Sequence, residues 1–320
     1  MDLEHILRQF QRLRVNTQDG HASPHKPCML LAVIEMLEAG VATENMIPFS
    51  DALIERYVQY FEQVKRDTDW PNPWFPFFHL SNDQLEKRHF WFLKPVPGKE
   101  AVVGAMTTAR SRSDITGNIA HIELDPSLHD LIRDPEQRAH LREKLIVTWF
   151  PEHAQRLRSL VTEIKDASAY ERKLRGLNEE KNLAEPTAAI TEKARSAAFR
   201  HVVLEAYDYR CAATGYRIVL PDSTAMVEAA HIVPFSVTND DSPSNGIALS
   251  PNMHWAMDRN IIAPGPDLKW HVSDIIDLRI PDFRPFAELA GAGVFAPNDN
   301  SQFAPSKDAL EWRRSRLLSA

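Results

Sequence analysis

Cysteine is nearly absent: the 320 residues contain two, Cys28 and Cys211, one in each half of the chain. No disulfide framework can be built from them, and a reducing compartment, the cytoplasm, is expected. Also missing is an apolar run of the ~20 residues that a membrane-spanning helix needs. The opening MDLEHILRQF is a charged amphipathic segment, unlike a secretory signal. Positive charge is in the minority, with 37 Lys and Arg against 44 Asp and Glu for a net −7. That balance disfavours a protein that coats nucleic acid indiscriminately; a surface that meets phosphates would have to be local, with clustered Lys and Arg. The sequence shows no internal repeat. What is present is ordinary for globular protein, 43% hydrophobic and 25% charged. The length predicts about two domains, each able to bury its own core.

The first half reads as mostly helical. Leu3, Ile6, Leu7, Phe10 and Leu13 recur at helical spacing over residues 2–14. After the polar stretch Asn16–Pro27, with Gly20 and Pro24, Pro27 opens a buried helix, CMLLAVIEMLEAG, that stops at Gly40. His25 and Lys26 then stand just before a helix N-terminus, where free N–H groups and the positive dipole end favour an anion. Ser50 caps a third helix with Leu53, Ile54, Tyr57, Val58 and Phe61 on its apolar face. Residues 70–80, WPNPWFPFFHL, hold three prolines and five aromatics, which predicts a rigid extended segment and no regular helix. A strand-like HFWFLKPV follows. In Thr107–Ser113, Arg110 and Arg112 are placed to bridge phosphates or read guanine, although a plain solvated loop fits equally well. Asp134-Pro135-Glu136-Gln137 opens a helix whose core face is Leu141, Leu145, Ile146 and Trp149.

From Glu152 to Lys181 the chain is highly charged yet carries Leu157, Leu160, Val161, Ile164 and Leu174, as expected of a helix that covers a domain or pairs subunits. A domain boundary is expected near Asn182–Ala189. Phe199, Val202, Val203 and Ala206 then mark the first helix of the second domain. The most specific stretch follows at residues 226–262, MVEAAHIVPFSVTNDDSPSNGIALSPNMHWAMDRNII. Met226–Val233 reads as a strand ended by Pro234, and a polar loop follows. Ser250-Pro251 reads as an N-cap with proline at the first helical position, opening a short helix. His231, Asn245 and His254 occur in that order, separated by thirteen and eight residues. His254 and Asp258 are one turn apart on one helical face, where an imidazole and a carboxylate can grip a divalent ion. Ile261–Ala263 and Leu268–Val272 flank PGPD as a hairpin, and ALEWRRSRLL reads as a terminal helix.

A lone strand histidine is most often an ordinary core or surface residue. Three positions at this spacing, an Asp one turn later and a strand, loop and short helix around them together resemble the HNH (ββα-metal) nucleases. The resemblance implies that His231 is the general base, that Asn245 fixes the loop and the imidazole, and that His254 and Asp258 hold one metal ion. Phosphodiester hydrolysis needs such a division, an activated water and a cation over the scissile phosphate. Many members carry a second ligand directly before the base, where this chain has Ala230; Glu228, on the same strand face as Ala230, is the candidate to replace it. Many also carry paired Cys-x-x-Cys knuckles. Here Cys211-Ala-Ala-Thr214-Gly215 stands alone, so no structural zinc of the four-thiolate kind is expected.

The His-Lys-Pro helix start, the WFPFFHL segment and DPEQRAHLREKLIVTWFP resemble the sulfur-binding domain that precedes an HNH domain in restriction endonucleases acting on phosphorothioated DNA. That resemblance covers residues 1–155 and implies that His25 and Lys26 meet the phosphorothioate while Phe75, Pro76 and His79 line the sulfur. Sulfur is larger, softer and a poorer hydrogen-bond acceptor than oxygen. Burying it against proline and aromatic edges should be favourable by about 1 kcal/mol, and an oxygen in its place would lose hydrogen bonds.

The expected fold class is α+β in two domains, a mostly helical sulfur-binding-like domain at 1–155 and an HNH nuclease domain at 191–320, joined by a helical linker at 156–190. The expected function is a modification-dependent type IV restriction endonuclease. It would use one divalent ion, Mg²⁺ or Mn²⁺ with Co²⁺ and Ni²⁺ as further candidates, and act on phosphorothioated duplex DNA as a homodimer with no membrane partner. Two alternatives stay open at this point. One is an HNH nuclease reading a modified base such as methylcytosine in a cage of Trp70, Trp74 or Phe75; the other is a non-catalytic DNA binder with a degenerate HNH fold.

Overall fold

The computed structural model describes residues 3–18, 21–42, 44–85, 88–176, 191–297 and 303–319. The fold is α+β, divided into two compact units, Met1–Thr162 with Pro221–Thr224, and Glu163–Leu220 with Ala225–Ala320. Of the linker expected at 156–190, residues 177–190 lie outside the described part, and so does the boundary expected near Asn182–Ala189. Among the described residues no helix is long and apolar enough to cross a membrane.

In the first unit α1 (Leu3–Phe10) is followed by α2 (His25–Glu38), which is buried on all sides from Pro27 to Met36. An all-round apolar helix has to be the centre of its domain, and α2 packs against its neighbours throughout. Pro24 occupies its N-cap, and Gly40 just past its end takes φ of 70°. That left-handed turn closes a helix at little cost only with glycine. His25 and Lys26, expected just ahead of this helix, are its first two residues, because Pro24 supplies the helical φ three positions earlier than Pro27 would. Helix α3 (Asp51–Val64) is capped by the Ser50 hydroxyl, which accepts from the Leu53 N–H.

The segment expected to be extended is a correction. Trp74–His79 forms a short helix, α4. Pro73 sits at its N-cap position and Pro76 in its first turn, where a residue has no intrahelical partner for an N–H, so the prolines shape the start of the helix without breaking it. A two-stranded antiparallel ribbon, β1 (Trp91–Pro95) with β2 (Ile119–Leu124), brackets α5 (Arg112–Thr116). After it come α6 (Pro126–Arg133) and α7 (Pro135–Trp149), the latter capped by Asp134 accepting from the Gln137 N–H at 2.9 Å. Leu141, Leu145 and Ile146 of α7 are buried, as their spacing requires.

Helix α8 (Ala154–Leu174) belongs to the second unit from Glu163 onward. In that unit α9 (Glu192–Ala206) carries Phe199, Val202 and Val203 into the core. It lies against the antiparallel hairpin of β3 (Glu228–His231) and β4 (Gly246–Leu249), whose register pairs His231 with Gly246 and Glu228 with Leu249. A Cβ on Gly246 would come within 2.4 Å of a Val203 methyl and 3.1 Å of the Phe199 ring, so the helix approaches this closely only because position 246 is glycine. Helix α10 (Pro251–Asp258) crosses the hairpin, and a second ribbon, β5 (Ile262–Pro264) with β6 (Trp270–Val272), leads to α11 (Lys307–Arg314). The β3 strand is shorter at both ends than the Met226–Val233 run suggested: the Met226 N–H goes to the Ile218 carbonyl at one end, and the Val233 backbone is taken by Asn245 at the other.

Candidate active site and DNA-reading pocket

The β3–β4–α10 unit has the strand, loop and helix order expected around His231. The strand ends at His231, whose Nε2 lies 2.8 Å from Oδ1 of Asp241. Its ring lies flat on Phe199 of α9, 3.9 Å between centroids and 2° between planes. Asp241 is almost completely enclosed, its side chain 1% exposed. It receives Arg195 Nη1 on both oxygens, at 2.8 and 2.6 Å, and the Tyr170 hydroxyl at 3.0 Å. Burial, then the bond to Asp241, pushes the Tyr170 hydroxyl up to about 12, so it stays a donor at neutral pH.

Asn245, expected to fix both loop and imidazole, holds the loop. Its Oδ1 accepts from the Val233 N–H at 2.8 Å, and its Nδ2 donates to the carbonyls of Val233 at 2.9 Å and Asp240 at 3.0 Å. The imidazole's own partner is Asp241, which sequence reasoning passed over as one more polar residue of the NDDSPSN loop. Its signal is weak: Asp240 and Asp241 are adjacent, and nothing local says which of them turns inward. Arg313 of α11 was missed too. Its buried guanidinium donates to the carbonyls of Ile232 at 2.6 Å, His231 at 3.3 Å and Met257 at 3.3 Å, tying the end of β3 to α10.

Around His254 the geometry is that of a short chain of groups. Its Nδ1 is 2.8 Å from Oε2 of Glu228, and its Nε2 is 3.5 Å from Oδ2 of Asp258. Both carboxylates are more than half exposed while the imidazole is about a quarter exposed. The donor set suits a hard or borderline divalent ion that keeps water in its remaining positions. Donor atoms 2.8 Å apart, as Nδ1 and Oε2 are, match neighbouring positions around an ion with ~2.1 Å bonds. An ion on Nδ1 would take Glu228 as its second ligand, and Asp258 would orient the ring from the far nitrogen. Glu228 shares its strand face with Ala230, while His231 is at the alternate position; the structure sets Glu228 and Asp258 on opposite nitrogens of His254 and gives His231 a separate set of partners.

Ser250 has N-cap backbone geometry, but its hydroxyl bonds Asn252 at 2.7 Å in place of capping, and its N–H donates to the Cys211 sulfur at 3.3 Å. Burial raises the Cys211 thiol, but hydrogen bonds from Ser250 and Thr214 outweigh it and bring it below its ordinary value. A further group with metal-ligating spacing, Glu171, His201 and Glu205, is bridged by the Arg175 guanidinium, which pairs with both carboxylates.

In the first unit His25 and Lys26 are engaged. Lys26 Nζ forms an ion pair with the buried Asp83 and donates to the Arg14 carbonyl at 2.8 Å. His25 bonds the Trp70 carbonyl through Nε2 and the Ser23 hydroxyl through Nδ1, both at 2.8 Å. Burial holds its pKa below the usual histidine value, partly countered by the Trp70 carbonyl and Asp69. His79 packs against Phe75, with ring centroids 4.3 Å apart and planes tilted by 45°, and bonds the Thr108 hydroxyl at 3.1 Å. Its pKa is lowered by burial and by Lys26. Phe75 is 43% exposed and Trp70 75% exposed, while Pro76 is buried. Thr108 brings the 107–113 loop to His79; Arg112 is tied to Asp51 at 2.7 Å, and the Arg110 side chain is exposed.

Residues 211–263 match the HNH endonuclease family. Residues 3–161 belong to the family of the ScoMcrA-like, DNA sulfur-binding domain. The chain is thus a DNA sulfur-binding domain followed by an HNH endonuclease domain. A solved structure, a "Modification dependent TagI restriction endonuclease", is similar at 22% identity over 41% of each chain, with a TM-score of 0.30. The chain spans less than half of that protein's length. No curated protein matches.

Proposed function

We propose that the chain is a modification-dependent type IV restriction endonuclease of the cytoplasm, which recognises phosphorothioated duplex DNA through residues 1–155 and hydrolyses the backbone with residues 191–320. The observation that carries the nuclease half is the arrangement of an imidazole at a strand end, bonded through Nε2 to a buried carboxylate, with a second imidazole, His254 on the helix that follows, bonded to Glu228 at the other end of the same strand. Because Nε2 faces a carboxylate, it carries a hydrogen, and Nδ1 is left as the basic nitrogen. His231 takes a proton from water through Nδ1. The resulting hydroxide oxygen bonds to phosphorus as the bond to the ester oxygen opposite it breaks. A divalent ion bound by His254 and Glu228 would supply charge neutralisation at the phosphate and the leaving oxygen.

The reading half is supported by the chemistry of the His25–His79 region. Lys26 is already neutralised by Asp83, and both histidines are held toward the neutral form, so the surface presents aromatic edges and few free charges. Such a surface favours the soft, weakly hydrated sulfur over a phosphate oxygen. Cutting both strands needs two active sites, which supports a homodimer on DNA.

Matched plasmids test the whole reading. With Mg²⁺, Mn²⁺, Co²⁺ or Ni²⁺, the phosphorothioated plasmid should be cut and the plain one spared, and His231→Ala should still bind but no longer cut. Equal cutting of both plasmids removes the sulfur reading. Cutting only of a methylcytosine-bearing plasmid would move the target to a modified base.

A further inference from the structure

The HNH reading leaves one question open in this chain: what decides which nitrogen of His231 faces water. The stacking on Phe199 fixes the plane of the ring, at 2° and 3.9 Å. A half-turn about Cβ–Cγ keeps that plane and exchanges nitrogen for carbon at both edges, so the stack alone leaves two orientations. Only a directional partner separates them, and the partner seen is Asp241.

We propose that Asp241, held by Arg195 and Tyr170, is the positioning carboxylate of the general base, selecting the orientation of His231 in which Nε2–H points inward and Nδ1 is the proton acceptor. The assignment rests on the nuclease reading for its catalytic consequence, but not for its geometry. Asp241 has little freedom of its own. Both oxygens accept from Arg195, and Oδ2 also accepts from Tyr170. Arg195 in turn lies over the Phe235 ring at 3.7 Å. Phe235 stands 6.0 Å from the imidazole, so one aromatic supports both the base and the cation behind its carboxylate. Three side chains, Tyr170 of α8, Arg195 of α9 and His231 of β3, converge on one buried carboxylate that accepts from all of them. An acceptor with every donor satisfied has no competing use for its lone pairs.

Once the water proton reaches Nδ1 the ring is an imidazolium, and Asp241 is the anion beside it. Arg195 already balances that anion before the reaction, so the carboxylate acts through orientation more than by raising the basicity of the ring. Asp241→Asn keeps the shape but lets an amide N–H face Nε2, which stabilises the opposite tautomer, with hydrogen on Nδ1. A wrong tautomer in an acid–base histidine lowers kcat by roughly 10²–10⁴-fold.

The test uses the full chain with ¹⁵N-labelled histidine, His231 being assigned by its loss in His231→Gln. The neutral His231 should show a protonated Nε2 and an unprotonated Nδ1, and Asp241→Asn should shift this toward Nδ1–H. With phosphorothioated plasmid and Mn²⁺, Asp241→Asn should lower kcat at least 100-fold with KM unchanged. Tyr170→Phe, which removes one donor and keeps the ring, should lower kcat by roughly 3- to 10-fold, the worth of one hydrogen bond. It carries the test if Asp241→Asn does not fold. A wild-type His231 protonated on Nδ1, or an Asp241→Asn chain with unchanged tautomer and kcat, overturns the proposal. If the wild type cuts no plasmid with any of the metals, the nuclease reading fails, and the NMR arm still decides the role of Asp241.

Discussion

The imidazole of His231 and the phenyl ring of Phe199 lie in nearly parallel planes with centroids 3.9 Å apart, joining β3 to α9. Phe199 is 3% exposed and belongs to the core that packs α9 on the hairpin, so its ring has a packing role and an orienting one. Phe199→Ala should destabilise the domain by about 3–5 kcal/mol, as large aromatic truncations do. Phe199→Leu separates the two roles: much of the volume stays and the flat surface goes. Its melting temperature should fall by a few degrees and kcat on phosphorothioated plasmid by about tenfold, with KM unchanged. An activity loss fully accounted for by the unfolded fraction at the assay temperature would reduce Phe199 to core packing.

Glu228 and Asp258 both contact His254, but through different nitrogens and at different lengths, 2.8 and 3.5 Å. An ion on Nδ1 has Glu228 as its neighbour, so Glu228→Gln should weaken Mn²⁺ binding more than Asp258→Asn does. Loss of an orienting group outside the first ring of ligands costs about 10- to 100-fold in affinity. Asp258→Asn is expected near the lower end of that range and Glu228→Gln above it. Titration of Mn²⁺ by electron paramagnetic resonance on the full chain reads both, and the reverse order would place the ion on Nε2.

Acidification should act on His25 and His79 in a definite direction. The pKa of His25 is lowered by burial, and that of His79 by burial and by Lys26, so both are largely neutral at pH 7 and gain a proton only below the usual histidine range. Each proton gained adds a positive charge where an anionic backbone would bind, and bound phosphate favours the charged form. Affinity for a phosphorothioate duplex should therefore rise as pH falls from 7 through 6 and below. Affinity for the plain duplex should rise as well, because the added charge serves sulfur and oxygen alike, and the ratio between them should narrow. Fluorescence anisotropy on both duplexes measures this, and His79→Gln should flatten the curve. An affinity ratio that widens on acidification would rule the mechanism out.

The parts legible in the sequence were those written in local rules. Ser50 and Asp134 announce their helices because a short polar side chain satisfies an N–H three residues on, and the structure shows those bonds. Trp74–His79 was misread because proline was counted as a helix breaker without regard to position; its harm depends on whether an N–H is missed, and in the first turn none is. The order of His231, Asn245 and His254 was readable because strand, loop and helix are adjacent in the chain. The partners that orient His231 were not. Tyr170, Arg195 and Phe199 lie 30 or more positions upstream on two helices, where they look like any amphipathic residue. Their meeting at Asp241 is a product of packing, which periodicity does not encode. Lys26 shows the converse. It stands where a phosphate ligand belongs, but a buried Asp83 from another part of the domain takes its charge.

Arg313 supplies the last prediction. Its side chain is buried, and its donors go to carbonyl oxygens of β3 and α10 and to Asn260 Oδ1 at 3.4 Å. Burial lowers its pKa, and Asp258 only partly counters this. A guanidinium spans these acceptors because its donors fan out in one plane, and an ammonium cannot reproduce the fan. Arg313→Lys should therefore leave two or more buried carbonyls short of a donor and cost the second unit about 2–4 kcal/mol. The acceptors it loses belong to the base strand and to the helix of His254, so cutting should fall in step with that loss, while binding of a phosphorothioate duplex by residues 3–161 is retained. Thermal unfolding together with anisotropy on the same preparation separates the two effects. A variant that melts as the wild type does, or that loses duplex binding along with cutting, would show that α11 does not act as the clamp of the nuclease site.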